Sequence, residues 1–150
     1  VNANPAAAGA MASPRAVADA ETMRPHPAYP PHALGAWGEQ VACALLRRAG
    51  WRILERSYRL GRREVDVIAR RGSLVVFVEV KTRTTDAFGP PEEAVTRRKR
   101  REIEAVALDY LVRHVRTEVD VRFDVVSVVA GPGRRLLRCE HLEDAWRPDG

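Results

Sequence analysis

Two short motifs, Glu64-Val65-Asp66 and Glu79-Val80-Lys81, carry the residue types of phosphodiester chemistry at the spacing of paired strands. Between them Gly72-Ser73 is a two-residue hairpin turn of the Gly-X kind. That turn sets Arg71 opposite Leu74, Ala69 opposite Val76 and Asp66 opposite Glu79. Opposed strand residues hold their Cβ atoms about 5 Å apart on one face. Two carboxylates at that separation repel unless a positive group sits between them. A divalent cation, Mg²⁺ or Mn²⁺, meets that demand, because hard cations take oxygen ligands and need only one or two protein carboxylates. Asp66, Glu79 and the backbone carbonyl of Val80 are the candidate ligands, leaving positions for water and a phosphate oxygen. Such an ion activates water at neutral pH and offsets charge building on phosphorus. Lys81 shares a strand face with Glu79 and would orient the attacking water or neutralise the developing charge. Singly, each residue has a plainer role: Asp66 as a strand-end hydrogen-bond acceptor, Glu79 and Lys81 as a surface ion pair, Glu64 as a surface acid. Their joint placement is what makes Asp66, Glu79 and Lys81 a candidate catalytic set.

Cation choice sharpens that reading. Of 25 cationic side chains only Lys81 and Lys99 are lysine, so arginine is the default surface cation of this chain. An ammonium is a compact point charge suited to holding a water or a phosphate oxygen, unlike the planar guanidinium fork. Lys99 lies within Arg97-Arg98-Lys99-Arg100-Arg101, a run of cations that a helix would wrap around its circumference. Beside a carboxylate cluster, these five and Arg83 form a candidate track for a nucleic-acid backbone. Alone, such a run is a solvated helix face. Aromatic residues make up 6% of the chain, too few for a base-stacking platform.

The elements that must position these residues follow from pattern. At 150 residues and 45% hydrophobic content the chain has the length and apolar mass of one domain. Its net charge is +5, and residues 1–32 balance Arg15 and Arg24 against Asp19 and Glu21. The positive excess therefore belongs to a domain at 33–147 and suits an anionic partner. Residues 1–32, small and Pro-rich, are expected to form a disordered tail. Cys43 and Cys139 lack CxxC spacing and a histidine cluster, so two buried free thiols in a reducing compartment are expected. With no secretory pattern and no long apolar run, a cytoplasmic protein away from membranes is expected.

Leu34, Trp37, Val41 and Leu45 recur at helical spacing over 33–49, and Gly50 ends that helix. Strands are expected at 51–60, 64–71 and 74–82, the last apolar on both faces and hence central. Pro90-Pro91 and Glu92-Glu93 read as the start of a second helix running to about His114. Its buried stripe of Ile103, Val106, Ala107, Tyr110 and Leu111 extends backwards to Lys99 and Val95. Strands at 119–130 and 134–140, joined by Gly131-Pro132-Gly133, complete the order α-β-β-β-α-β-β. That order predicts an α/β three-layer sandwich around a mixed central sheet.

Several motifs taken in order resemble one known group. They are Gly35-x-x-Gly38-Glu39, Glu64-Val65-Asp66-Val67-Ile68-Ala69, Phe77-Val78-Glu79-Val80-Lys81-Thr82-Arg83, Phe88-Gly89, Ala94-Val95-Thr96-x-x-Lys99 and Arg122-Phe123-Asp124-Val125. Over about Ala33 to Trp146 the chain resembles the YraN-like family, a bacterial group with the restriction-endonuclease-like fold and the PD-(D/E)xK nuclease pattern. The resemblance implies a role for Glu39 as the helix acid completing the metal site, with Asp66, Glu79 and Lys81 as the nuclease core. Archaeal Holliday junction resolvases share the fold and signature, so branched or junction DNA is the implied substrate class. A homodimer would suit a cutter of two strands. The chain departs from the family at Arg63, where glycine is usual, and at Ser57, where asparagine is usual. The function so expected is a metal-dependent DNA endonuclease; the alternative is a non-catalytic nucleic-acid-binding module or adaptor that retains the fold.

Overall fold

A central strand with no polar face needs cover on both sides, and the architecture supplies it. The computed structural model describes residues 15–17, 31–84 and 95–149. Strand β4 (Leu74–Arg83) is buried from Val75 to Val80. Its side chains alternate between two hydrophobic clusters, as strand geometry dictates. Val76, Val78 and Val80 join Trp37, Val41 and Leu46 of helix α1 (Pro31–Arg48). Val75 and Phe77 join Ile103, Val106 and Tyr110 of helix α2 (Arg97–His114) on the other side. The two helices thus flank one sheet, giving three layers.

The hairpin β2 (Arg52–Leu60), β3 (Arg63–Arg71) and β4 is antiparallel throughout. β5 (Asp120–Ala130) then pairs parallel to β4, a connection that requires a crossover, and α2 is that crossover. β6 (Leu136–Trp146) returns antiparallel to β5 through the tight turn at Pro132–Arg134. The short strand β1 (Arg15–Val17) adds to the edge beside β6, giving the sheet order β1-β6-β5-β4-β3-β2. The mixed sheet and the α-β-β-β-α-β-β order of the restriction-endonuclease-like sandwich are both present. Cys43 and Cys139 are buried free thiols in the α1-side core.

Three boundaries differ from the sequence reading. Arg15–Val17 is a strand within the segment expected to lack structure. β6 continues past residue 140 to Trp146, because its buried polar residues Glu140 and His141 conceal the strand pattern from a hydrophobicity argument. Helix α2 begins at Arg97, not at the prolines: Thr96 is extended (φ −65°, ψ 159°) and its hydroxyl caps the Lys99 N–H. Phe88-Gly89 and Pro90 to Glu93 lie outside the described residues.

Candidate active site

The β3–β4 hairpin is built in the expected register and then opens. Gly72 takes φ +62°, a backbone conformation that glycine adopts without steric cost. Arg71 faces Leu74 and Ala69 faces Val76, and the last bridged pair is Val67 with Val78. One residue further the strands part, and the Asp66 carboxylate fills the gap. Its Oδ2 accepts the Val80 N–H at 2.8 Å. A side chain has replaced the next ladder bond, which fixes Asp66 in place and satisfies a backbone donor that the open ladder would strand.

Helix α1 brings a second acid to this opening. Gly38 lies so close to β4 that a Cβ there would meet the Thr82 Oγ1 at 1.8 Å. Only glycine allows that approach, and Glu39 is the next residue. Glu39, Glu64 and Asp66 each offer a carboxylate oxygen, and the three atoms lie within 4.8 Å of one another. Ser57 Oγ donates to Glu39 Oε2 at 3.5 Å, and Arg59 Nε donates to Glu64 Oε2 at 2.8 Å. Ser57 holds φ +50°, where asparagine is at less disadvantage than serine, in keeping with the residue usual at this position.

Glu79 is buried on the β4 side of the same opening, with Oε1 3.5 Å from Lys81 Nζ. Its Oε2 is buried with no hydrogen-bond partner among the described residues. Burial pushes the Glu79 carboxyl up to about 8, and the Asp66 charge adds to the rise against the pull of Lys99 and Lys81. Burial, then Asp66 and Glu64, push Glu39 up to about 7. Asp66 is raised too, by burial first, with the Val80 N–H drawing it down. Clustered acids with raised pKa values and an orphaned buried oxygen are a donor set short of positive charge. All the donors are hard oxygens, so the residues fit a Mg²⁺-like cation.

Both lysines of the chain converge here. Lys81 reaches Glu79, while Lys99 Nζ donates to the Glu64 backbone carbonyl at 3.2 Å from the first turn of α2. Lys99 therefore belongs with the acids and not with the exposed run around it. That run divides by helical geometry. Arg97, Arg98 and Arg101 are exposed. Arg98 lies 3.6 Å from Glu102. Arg100 turns back, its Nε donating to the Val95 carbonyl at 3.0 Å and its guanidinium 5.6 Å from the centre of the Trp146 ring. Arg83 is half-buried at the end of β4.

Glu64 is the site residue that the sequence reading left on the surface. The β3–β4 ladder ends at Val67 and Val78, and Glu64 joins Glu39 and Asp66. Its signal was the acid-x-acid spacing, which places both side chains on one strand face. Val80 contributes its N–H to Asp66.

A second polar cluster lies in the core. Asp124 is fully buried and accepts from Arg122 Nε and Nη2, each at 2.8 Å, and from the Asp144 N–H at 2.9 Å. His141 Nε2 stands 2.7 Å from Asp124 Oδ2. The Arg122-Phe123-Asp124-Val125 motif thus ties β5 to β6 by buried charge.

Fold and site together define a restriction-endonuclease-like α/β domain with carboxylates gathered where its central hairpin opens. The family described as "Uncharacterised protein family UPF0102" matches residues 38–128. A UPF0102 protein of Anaeromyxobacter dehalogenans (strain 2CP-C) is 46% identical over 118 residues, covering 79% of this chain and 87% of the relative. One from Chlorobium phaeobacteroides (strain DSM 266 / SMG 266 / 2430) is 39% identical over 123 residues, 79% of this chain and 97% of the relative. One from Geobacter metallireducens is 41% identical over 113 residues, 75% of this chain and 91% of the relative. The chain belongs to the UPF0102 family, the YraN-like group its motifs resemble. Among the described residues no helix is long and apolar enough to cross a membrane.

Proposed function

We propose that this protein hydrolyses DNA phosphodiester bonds with a divalent cation, Mg²⁺ or Mn²⁺, held by Glu39, Asp66, Glu79 and the Val80 carbonyl, with Glu64 as a further ligand. The supporting observation is the gathering of Glu39, Glu64 and Asp66 beside Glu79, whose buried Oε2 has no hydrogen-bond partner among the described residues. When bound, such a cation lowers the pKa of a coordinated water and stabilises charge on phosphorus.

The chain's own groups do the rest. Asp66, pinned by the Val80 N–H, holds the constellation rigid. Lys81, free to exchange its 3.5 Å contact with Glu79, orients the attacking water or meets the charge that develops on the phosphoryl oxygens. Lys99 neutralises the acid-rich end of β3 so that a phosphate can approach. The exposed cations of α2's first turn, with Arg83, hold the backbone. Branched or junction DNA is the first substrate to try, and a homodimer would serve a cut in both strands. A protein doing this work operates in the cytoplasm.

The test is cleavage of four-way junction, flap, single-stranded and duplex DNA with Mg²⁺, Mn²⁺ or EDTA. Lys81→Ala is run alongside. Metal-dependent cutting that disappears in the variant supports the proposal. Binding without cutting on every substrate replaces it with a non-catalytic module that retains the fold.

A further inference from the structure

We infer that the cleft between the β2–β3 turn and the first turns of α2 is a track for substrate phosphates flanking the scissile position, with Arg62, Arg63 and Arg101 as its cations. The inference rests on the phosphodiester reading and extends it to a second element of the fold. The cleft encloses about 450 Å³ and is lined by Arg62, Arg63, Arg98, Arg101 and Glu102. Arg98 answers Glu102 at 3.6 Å. Arg62, Arg63 and Arg101 make no ion pair among the described residues, so three guanidiniums face an open cleft uncompensated.

Position gives that charge a purpose. Arg63 directly precedes Glu64, Arg98 directly precedes Lys99, and Lys99 Nζ bonds the Glu64 carbonyl at 3.2 Å. The two walls of the cleft are therefore joined one residue from Glu64, a member of the acidic cluster. A duplex strand presents a phosphate about every 3.4 Å of helix axis, so one phosphate at the acids puts its neighbours beside these arginines. The nearby cleft of about 360 Å³, which shares Arg101, is lined by the acids Glu104 and Asp149 as well as by Arg97, Arg100 and Arg147, so its positive excess is smaller. There Asp144 holds Arg147 at 2.7 Å and the Val95 carbonyl holds Arg100 at 3.0 Å. Guanidiniums without partners, aligned with a phosphodiester site, fit a nucleic-acid strand better than an isolated small anion.

The experiment measures duplex DNA affinity in EDTA across a salt series for the wild type, Arg62→Ala/Arg63→Ala and Arg113→Ala/Arg116→Ala. The last pair removes equal charge at the far end of α2. Losing two phosphate contacts lowers the log–log salt slope by about 1.8 and weakens binding roughly 60-fold at 0.1 M salt. That loss confined to the Arg62/Arg63 pair supports the track. Equal, small losses in both pairs overturn it while leaving the nuclease reading intact. No salt-dependent binding by the wild type, together with no metal-dependent cleavage, overturns both. Arg62 and Arg63 are exposed, so thermal melting of the variant should match the wild type.

Discussion

The Val80 N–H donates to the Asp66 carboxylate at 2.8 Å, one residue beyond the point where the β3–β4 ladder stops bridging. A strand pair normally continues its backbone bonds until a turn or bulge. Here a side chain takes the bond, and the freed space receives Glu39 from α1 and Glu64 from the same strand. Asp66 is thus both a structural cap and the centre of the acidic cluster, and these roles can be separated by substitution.

Asp66→Asn keeps an oxygen to accept the Val80 N–H and removes a negative charge. Its thermal midpoint should stay at or above the wild-type value. Cleavage should fall roughly a hundredfold or more, the scale of losing one electrostatic group at a reacting centre. DNA affinity in EDTA should be equal or higher. Unfolding of the variant would mean that the carboxylate's charge, not its acceptor, holds the hairpin.

The raised carboxyls tie stability to pH in the metal-free protein. Glu79 moves from 4.5 to about 8 and Glu39 from 4.5 to about 7. Between those values the folded state binds more protons than the unfolded one, so stability falls as pH rises. The contribution is complete below about 4.5 and lost as pH passes 7 to 8. Melting in EDTA should therefore give a lower midpoint at pH 9 than at pH 5.5. Glu79→Gln should flatten that fall. Saturating Mg²⁺ or Mn²⁺ should restore the midpoint at high pH, by about 2.7 kcal/mol at a hundred times the dissociation constant. A wild-type midpoint that rises with pH in EDTA would contradict the clustered-acid geometry.

Legibility followed local periodicity. The register of β3 and β4 was readable from Gly72-Ser73 because a two-residue turn leaves one pairing. The inward Lys99 was readable because the stripe of α2 extends back through it to buried Val95. The start of α2 at Arg97 was not legible, since its Thr96 cap is a single hydroxyl with no pattern around it. The placement of Glu64 depended on where the ladder ends, and the approach of Glu39 on a helix packing against β4 at Gly38. Both are tertiary facts with no local pattern. The pairing of Asp124 with His141 was invisible for a similar reason, since the Arg122-Phe123-Asp124-Val125 motif gives no sign of its partner on β6.

The contact at Gly38 makes the Glu39 position sensitive to one methyl. In Gly38→Ala the new Cβ meets the Thr82 side chain at both Oγ1 and Cβ, so either Thr82 or α1 must shift. Overpacking of this kind costs about 1–3 kcal/mol. Where α1 shifts, cleavage should suffer more than folding, because Glu39 moves with its helix. Adding Thr82→Ala removes Oγ1 and Cγ2 and should recover part of both. A Gly38→Ala protein with full activity would show that Glu39 reaches the site without this close approach.

Asp124 carries the opposite linkage. Burial alone would raise its carboxyl, but hydrogen bonds from His141 and Arg122 outweigh that and hold it below the usual carboxylate value. A carboxylate only accepts, so the His141 Nε2 facing it carries the proton. The folded state therefore releases a proton that the unfolded state would hold. The contribution is present above about 3.8 and lost as pH falls through the lower folded value. Asp124→Ala leaves His141 and the Asp144 N–H without their acceptor in a buried site, and leaves Arg122 with Glu143 at 3.6 Å. Breaking a buried charge pair from one side costs about 3–5 kcal/mol, which in a chain of this length lowers the melting midpoint by roughly 10 °C. Asp124→Asn keeps one acceptor oxygen and should lose less. Urea unfolding of both variants at pH 7 and pH 3.5 checks the sign, since the gap between wild type and Asp124→Ala should narrow at the lower pH. A gap that does not change with pH would assign the cluster's stability to packing and not to charge.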